Sequence, residues 1–475
     1  MNKRKKHTLL SLFLFLFLPM QVMSGTPLAQ QPEKIEFPGG KTYLFRLSLT
    51  DKNGTPYRLD RPLEFLSQKA LDRRKRQGLE VDSTDLPLPP EYIRKINAVK
   101  GVEVVCMSKW NKTVVVRVAE TSHVTPLLSL PFVSHAEKVF TAPDSIKPSE
   151  RTLYHKELEK WEGTNDEDYG KAALNIKMVN GHRLHQLGYT GRGLTIAVFD
   201  GGFMNADRIP AMDNIKVLGT RDFVAFKSPN IYQENDHGTK VLSTMALNVP
   251  GVFVGTAPDA SYWLIRSEDT ATESLAEEDY WVAAAEFADS VGADIISSSL
   301  GYKSFDDKTT NHKYTELDGK HALISKTASR LASKGIVHVN SAGNEGVGTW
   351  KKIGVPADAS DILAVGAVNS SRVNATFSSL GPSEDGRVKP DIMSLGSPAA
   401  VVSGRGAIIS DMGTSFAAPI ISGMVACLWQ SVPKATAYQV MDAIRRSADN
   451  YQTPNNVFGY GIPDFEKAYF LLKGR

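Results

Sequence analysis

A hydroxyl, an imidazole, a carboxylate and a carboxamide each stand in this chain where an apolar run begins or ends. Ser415 lies in DMGTSFAAP (411–419), at the head of the long apolar stretch SFAAPIISGMVACLWQSV. A helix starting there aims its unpaired N–H groups at any negative charge forming near the hydroxyl, and Pro419 is expected in its first turn, where N–H groups lack partners anyway. His237, in NDHGTKVLSTMALN, opens another helical pattern, and an imidazole with an ordinary pKa near 6.5 is suited to take protons at neutral pH. Its spacing is not that of a metal site, because no second ligand follows three to five residues on. Asp200 closes IAVFDGGF, and Asn344 closes a strand in NSAGNEG. Each also has an ordinary structural reading: Ser415 as a helix cap, His237 as a helix-start residue, Asp200 and Asn344 as turn formers. Together they supply a nucleophile, a base and an amide that could meet a developing oxyanion.

The elements that must bring them together follow from the hydrophobic pattern. LTIAVFD (194–200), YWLIR (262–266), ADIISSSLG (293–301), IVHVNSAGN (336–344) and DILAVGAV (361–368) are apolar without alternation. Helical stretches separate them: one after His237, one over about 273–291, one before Gly335 and more near the end. Strands of this kind, each followed by a helix, indicate an α/β fold with a parallel sheet covered on both faces. Ligands in such folds sit beyond the carboxyl ends of the strands, which is where the four polar residues fall.

On these motifs the chain over 168–475 resembles the subtilisin family of serine peptidases. IAVFDGGF, HGTKV, SAGNEG and GTSFAAP occur in that family's order of aspartate, histidine, asparagine and serine. The resemblance implies an exported serine endopeptidase in which Ser415 attacks, His237 relays the proton, Asp200 orients the imidazole and Asn344 assists the oxyanion. It further implies that Ser299, Leu300 and Gly301 pair with an extended substrate and wall its first side-chain pocket, opposite Ala342 and Gly343. No cofactor is required; structural calcium is possible in this family, but no ligand set can be assigned to it, and no metal residue is named. Two departures stand out: Gly201 replaces the hydroxyl residue usual after the aspartate, and Leu242 and Ser243 stand where alanine and glycine are usual. An exopeptidase or processing peptidase with a blocked cleft, and an inactive binding module of the same fold, are the competing readings.

Upstream, residues 38–142 mix strands and helices and match the family's pro-segments in position and texture, which makes this unit a possible inhibitor of its own enzyme or else a permanent accessory domain. VEVVCMSKW and TVVVRV, with Asn111 and Lys112 between, read as a hairpin. In DRPLEFLSQKALDRRKRQG, Asp60 is the expected N-cap, Leu63, Leu66, Ala70 and Leu71 a shared face, and Gly78 the stop. The run Arg73, Arg74, Lys75, Arg76 reads as a solvated face at the negative end of that helix rather than a nucleic-acid patch. Residues 143–167 are polar and proline-bearing, as a linker is. In the loop 345–357, Trp350, Lys351 and Lys352 are expected to face water.

Residues 1–24 carry a basic opening, a short apolar run and small residues, the layout of a secretory signal peptide. A secreted or periplasmic protein without membrane attachment after signal removal follows, expected to be a monomer acting on protein or peptide substrates. The 475 residues carry a formal charge of +3, with 42% hydrophobic and 23% charged residues, which points to no nucleic-acid partner. Cys106 and Cys427, far apart in apolar surroundings, are read as small core residues.

Overall fold

The computed structural model describes residues 34–147, 153–156, 161–225, 227–228 and 230–474. The expected signal peptide at 1–24 and parts of the linker at 143–167 lie outside the described residues. Among those described, no helix is long and apolar enough to cross a membrane.

The larger unit is built on seven parallel strands, ordered Ile392–Ser397, Leu363–Asn369, Val337–Ser341, Ile295–Ser298, Thr195–Asp200, Ser261–Arg266 and Lys216–Asp222. The apolar run of Thr195–Asp200 is explained by what lies on each side. Ile196 and Val198 enter a core shared with Phe416, Ile420 and Met424 of the helix Thr414–Ser431. Ala197 and Phe199 enter a second core with Trp281 and Ala284 of the helix Ala276–Val291. A strand buried on both faces has no use for alternation. From Thr195–Asp200 the chain runs first to the edge strand Lys216–Asp222 and returns to Ser261–Arg266 between them, then crosses to Ile295–Ser298, on the other side of Thr195–Asp200, and builds outward there. The order reverses between those two neighbours, so a crevice opens beyond their carboxyl ends.

Five of the seven strands are those read from the sequence. The two edge strands are additions. Lys216–Asp222 is largely solvent-facing and polar, and Ile392–Ser397 carries a glycine, two serines and a following proline, so neither shows an apolar run.

The smaller unit is a four-stranded antiparallel sheet, ordered Val102–Ser108, Thr113–Val118, Tyr43–Leu49, Val133–Thr141. The expected hairpin is present, with Ser108 paired to Thr113 across Asn111 and Lys112. Val114 and Val116 face the unit's own core with Leu47, Ile96 and Leu127, while Val115, Cys106 and Trp110 join the core around Trp281. Cys106 and Cys427 are buried and free.

Two expectations for this unit are corrected. The helix spans Gln68–Arg76 and is capped by Ser67, whose side chain accepts from the Ala70 N–H. Asp60 instead pairs with Arg58 at the surface, Pro62–Glu64 forms a separate short turn, and Leu63 is exposed. Only half of the basic run is a solvated face, Lys75 and Arg76 being exposed. Arg73 and Arg74 are among the most buried side chains of the protein. Arg73 and Arg74 both pair with Asp289 of the larger unit, Arg74 reaches Asp85 at 3.0 Å, and Arg76 reaches Asp294 at 2.8 Å. Nearby, Arg46 grips Asp279 through two 2.7 Å hydrogen bonds, and Glu286 accepts from Ser108 and from the Lys109 and Trp110 N–H groups. One face of the helix Ala276–Val291 is thus a row of carboxylates answered by cations and donors from the smaller unit.

Trp350 also departs from its expected place: it packs against the core and donates to the Ile353 carbonyl, while Lys351 is exposed and Lys352 donates to the Gly381 carbonyl.

Candidate active site

Asp200 is the last residue of Thr195–Asp200 and is almost fully buried, where polar oxygens need hydrogen-bond donors in place of water. The Gly201 N–H donates to its Oδ1 at 2.9 Å, and His237 Nδ1 lies 2.9 Å from each of its oxygens. His237 is the first residue of the helix His237–Ala246, and its own N–H is held by Asn235 Oδ1 at 2.8 Å. The helix starts hard against the Asp200 loop: Gly238 donates to the Gly202 carbonyl, and a Cβ at 238 would fall 2.3 Å from that oxygen. Ser243, one of the departures from the family pattern, accepts from the Val402 N–H at 2.9 Å and so ties this helix to the strand Ala399–Val402.

The imidazole is 30% exposed. Burial works against its charged form, but the Asp200 carboxylate beside it prevails and raises its pKa to about 9. With Nδ1 donating to Asp200, Nε2 is left as the acceptor.

Ser415 is the second residue of the helix Thr414–Ser431. Pro419 is not in the first turn, as had been expected; it lies inside the helix, four residues after Ser415. It therefore has no N–H to offer the Ser415 carbonyl. The Ser299 hydroxyl fills that place at 2.8 Å, and the Ser415 Oγ donates in return to the Ser299 carbonyl at 3.3 Å, a long bond. Phe416, next along the same helix, packs on the imidazole with ring centroids 5.7 Å apart. The helix that carries the hydroxyl is thus in direct contact with the histidine. Asn344 is exposed; its Oδ1 accepts from the Thr414 N–H at 3.0 Å and the Thr414 hydroxyl at 2.9 Å. Both oxygen contacts being used, its NH₂ group is the part left to donate.

These residues share one cleft of about 460 Å³, at the crevice between Thr195–Asp200 and Ile295–Ser298. Asp200, His237, Ser415 and Asn344 line it together with Ser299, Leu300, Gly301, Ala342 and Gly343, so the nine candidate site residues read from the sequence come to one place. Gly354 and Ala357 complete the small-residue wall, and Lys303 and Glu345 form an ion pair of 2.9 Å at the lining. Among the described residues, no group of three or more His, Cys, Asp or Glu side chains is placed to hold a metal ion.

Among the cleft residues that the sequence reading does not single out is a carboxylate beside the imidazole. Glu268 lies beside His237 and Asp200, where burial and then the Asp200 charge push its carboxyl up to about 7. It sits among many acids in SEDTATESLAEED, and nothing in that run distinguishes it.

The arrangement has counterparts in known proteins. The Subtilase family matches residues 191–461, and a Peptidase S8 propeptide domain of Bacteroidota matches residues 45–156. Subtilisin NAT of Bacillus subtilis subsp. natto is 30% identical over 296 residues, covering 62% of this chain and 70% of that protein. Subtilisin DY of Bacillus licheniformis is 30% identical over 299 residues, covering 62% of this chain and 97% of that protein. Alkaline elastase YaB of Bacillus sp. (strain YaB) is 28% identical over 287 residues, 59% of this chain and 66% of its own length. With a seven-stranded parallel sheet, a small α+β unit ahead of it and these matches, the chain belongs to the subtilase family and is a serine endopeptidase with a propeptide domain.

Proposed function

We propose that the chain is exported and cuts peptide bonds with Ser415 as nucleophile. The observation that carries this reading is the His237 ring, held by both oxygens of Asp200 on one side and packed on the Ser415 helix on the other. When substrate enters, the Ser415 hydroxyl turns from its long bond with the Ser299 carbonyl toward Nε2. Oγ then bonds to the scissile carbonyl carbon as its proton passes to Nε2, and Asp200 stabilises the resulting imidazolium. The carbonyl oxygen becomes an oxyanion held by the Asn344 NH₂ and the Ser415 N–H at the helix start, where the helix dipole adds to the attraction. The proton on Nε2 then goes to the departing amine as the C–N bond breaks. Water, deprotonated by the same base, releases the acyl group and restores the hydroxyl.

The open strand end at Ser299, Leu300 and Gly301 pairs with an extended peptide backbone, and the side chain of the scissile residue enters between Leu300 and Ala342. Pairing through backbone groups accepts many sequences. Residues 1–24 direct export, to the medium or the periplasm. The unit at 38–142 acts as inhibitor until the linker at 143–167 is cut. Structural calcium stays unassigned to any residue. A casein hydrolysis assay tests the reading: the exported protein should digest casein, and a Ser415→Ala variant prepared in the same way should not. Equal digestion by both would end the assignment.

A further inference from the structure

The cleft contains a carboxylate that the reaction above does not use. Glu268 is half-buried in the wall beside His237, and among the described residues it has no hydrogen bond and no ion-pair partner within 4.0 Å. Arg266, the cation at the end of the preceding strand, is turned away to Asp222 at 3.2 Å, and donates to the Gly201 carbonyl at 3.1 Å. Glu268 occupies space vacated by the missing side chain of Gly201: a Cβ at 201 would lie 3.3 Å from Glu268 Oε2 and 2.6 Å from the Thr270 methyl carbon. The loop over 268–270 therefore fills the space beside Gly201, with the Glu268 carboxylate at its edge. A second carboxylate close to Asp200 is costly by itself, because burial and like charge both oppose its ionisation. An arriving cation would remove both objections.

The direction in which a substrate presents its side chains says which residue would bring that cation. Alternate side chains of an extended strand point to opposite faces. If the scissile residue points between Leu300 and Ala342, the residue before it points away, toward the remaining wall formed by His237, Glu268 and Thr270. We propose that Glu268 recognises a positively charged side chain, lysine or arginine, at the residue immediately preceding the scissile one. This rests on the peptidase reading of the same cleft.

The test uses enzyme processed from the full chain and peptide p-nitroanilides with leucine at the scissile residue, preceded by Ala, Lys, Arg or Glu. The lysyl and arginyl peptides should exceed the alanyl one in kcat/KM by about tenfold, the size expected of a charge-assisted hydrogen bond in a half-buried site, and the glutamyl peptide should fall below it. Glu268→Gln should bring the lysyl-to-alanyl ratio to about one, and Glu268→Asp should keep part of it, because the charge survives on a shorter stem. A ratio near one in the unaltered enzyme, or a full ratio surviving in Glu268→Gln, overturns the proposal. Equal slowing of all four peptides by Glu268→Gln also overturns it, since the residue would then act through His237. Cleavage of none of the peptides by the unaltered enzyme would strike the peptidase reading first and this one with it.

Discussion

Replacing Asp289 by asparagine in a Ser415→Ala chain, which keeps the two units covalently joined, tests how the smaller unit is held. Asp289 is fully buried and answers both Arg73 and Arg74. Burial alone would raise its carboxyl pKa, yet the two guanidinium groups hold it below the usual range. Asparagine removes the charge and keeps the size. Arg74 retains Asp85 at 3.0 Å, but Arg73 is left fully buried with only carbonyl partners from the larger unit. Breaking a buried pair by removing one partner typically costs about 3–5 kcal/mol. At about 1.4 kcal/mol per decade this makes opening of the interface on the order of 10² to 10³·⁵ times more frequent. Amide hydrogen exchange along Gln68–Arg76 reads that opening directly, without requiring the two units to unfold as one. A second variant, Arg73→Met with Asp289→Asn, should recover part of the loss, because it removes the stranded charge. The exposed pair Arg58–Asp60 sets the scale of an unimportant contact, and Asp60→Asn should change exchange little. If Asp289→Asn protects the helix as well as Asp60→Asn does, the ion pairs are not what docks the unit.

Two further expectations concern the cleft. His237 must be neutral to accept a proton, and with its pKa raised to about 9 by Asp200, kcat/KM on a neutral peptide should climb with pH through about 9 and level off above; a plateau already reached at pH 7 would contradict this. The same raised pKa adds stability that is complete below the unfolded histidine pKa near 6.5 and is lost as pH rises through about 9, so unfolding midpoints of Ser415→Ala should decline over that window. Asn344→Ala should lower kcat by about 10² to 10³ with little change in KM, as for loss of one oxyanion donor; an effect confined to KM would assign Asn344 to ground-state binding instead.

What could be read from the chain, and what could not, divides by the range of the interaction. The strand Thr195–Asp200 was legible because burial on both faces leaves an unbroken apolar signature, and the hairpin at Asn111 and Lys112 because its turn is local. Asp200 was ambiguous by itself, an aspartate at a strand end being a good turn residue; it becomes decisive only beside His237, 37 positions away. Asp60 and Ser67 are equally good caps, and only the chain's course into the turn at Pro62–Glu64 selects Ser67. Arg73 and Arg74 misled for the same reason: four cations on one helix look solvated until a carboxylate more than two hundred positions away is folded against them. The local pattern puts Pro419 a turn too early, because the bond it cannot make is replaced by Ser299, which no local pattern reveals. The edge strand Lys216–Asp222 leaves no apolar mark because much of it faces solvent.

The most direct test of the whole account is covalent labelling with a fluorophosphonate, followed by peptide mapping. The adduct should form on the Ser415 oxygen and on no other hydroxyl of the chain, at a rate that rises with pH as His237 loses its proton and that collapses in His237→Ala. Labelling that survives Ser415→Ala unchanged, or a folded and processed protein that takes no label at any pH, would contradict it.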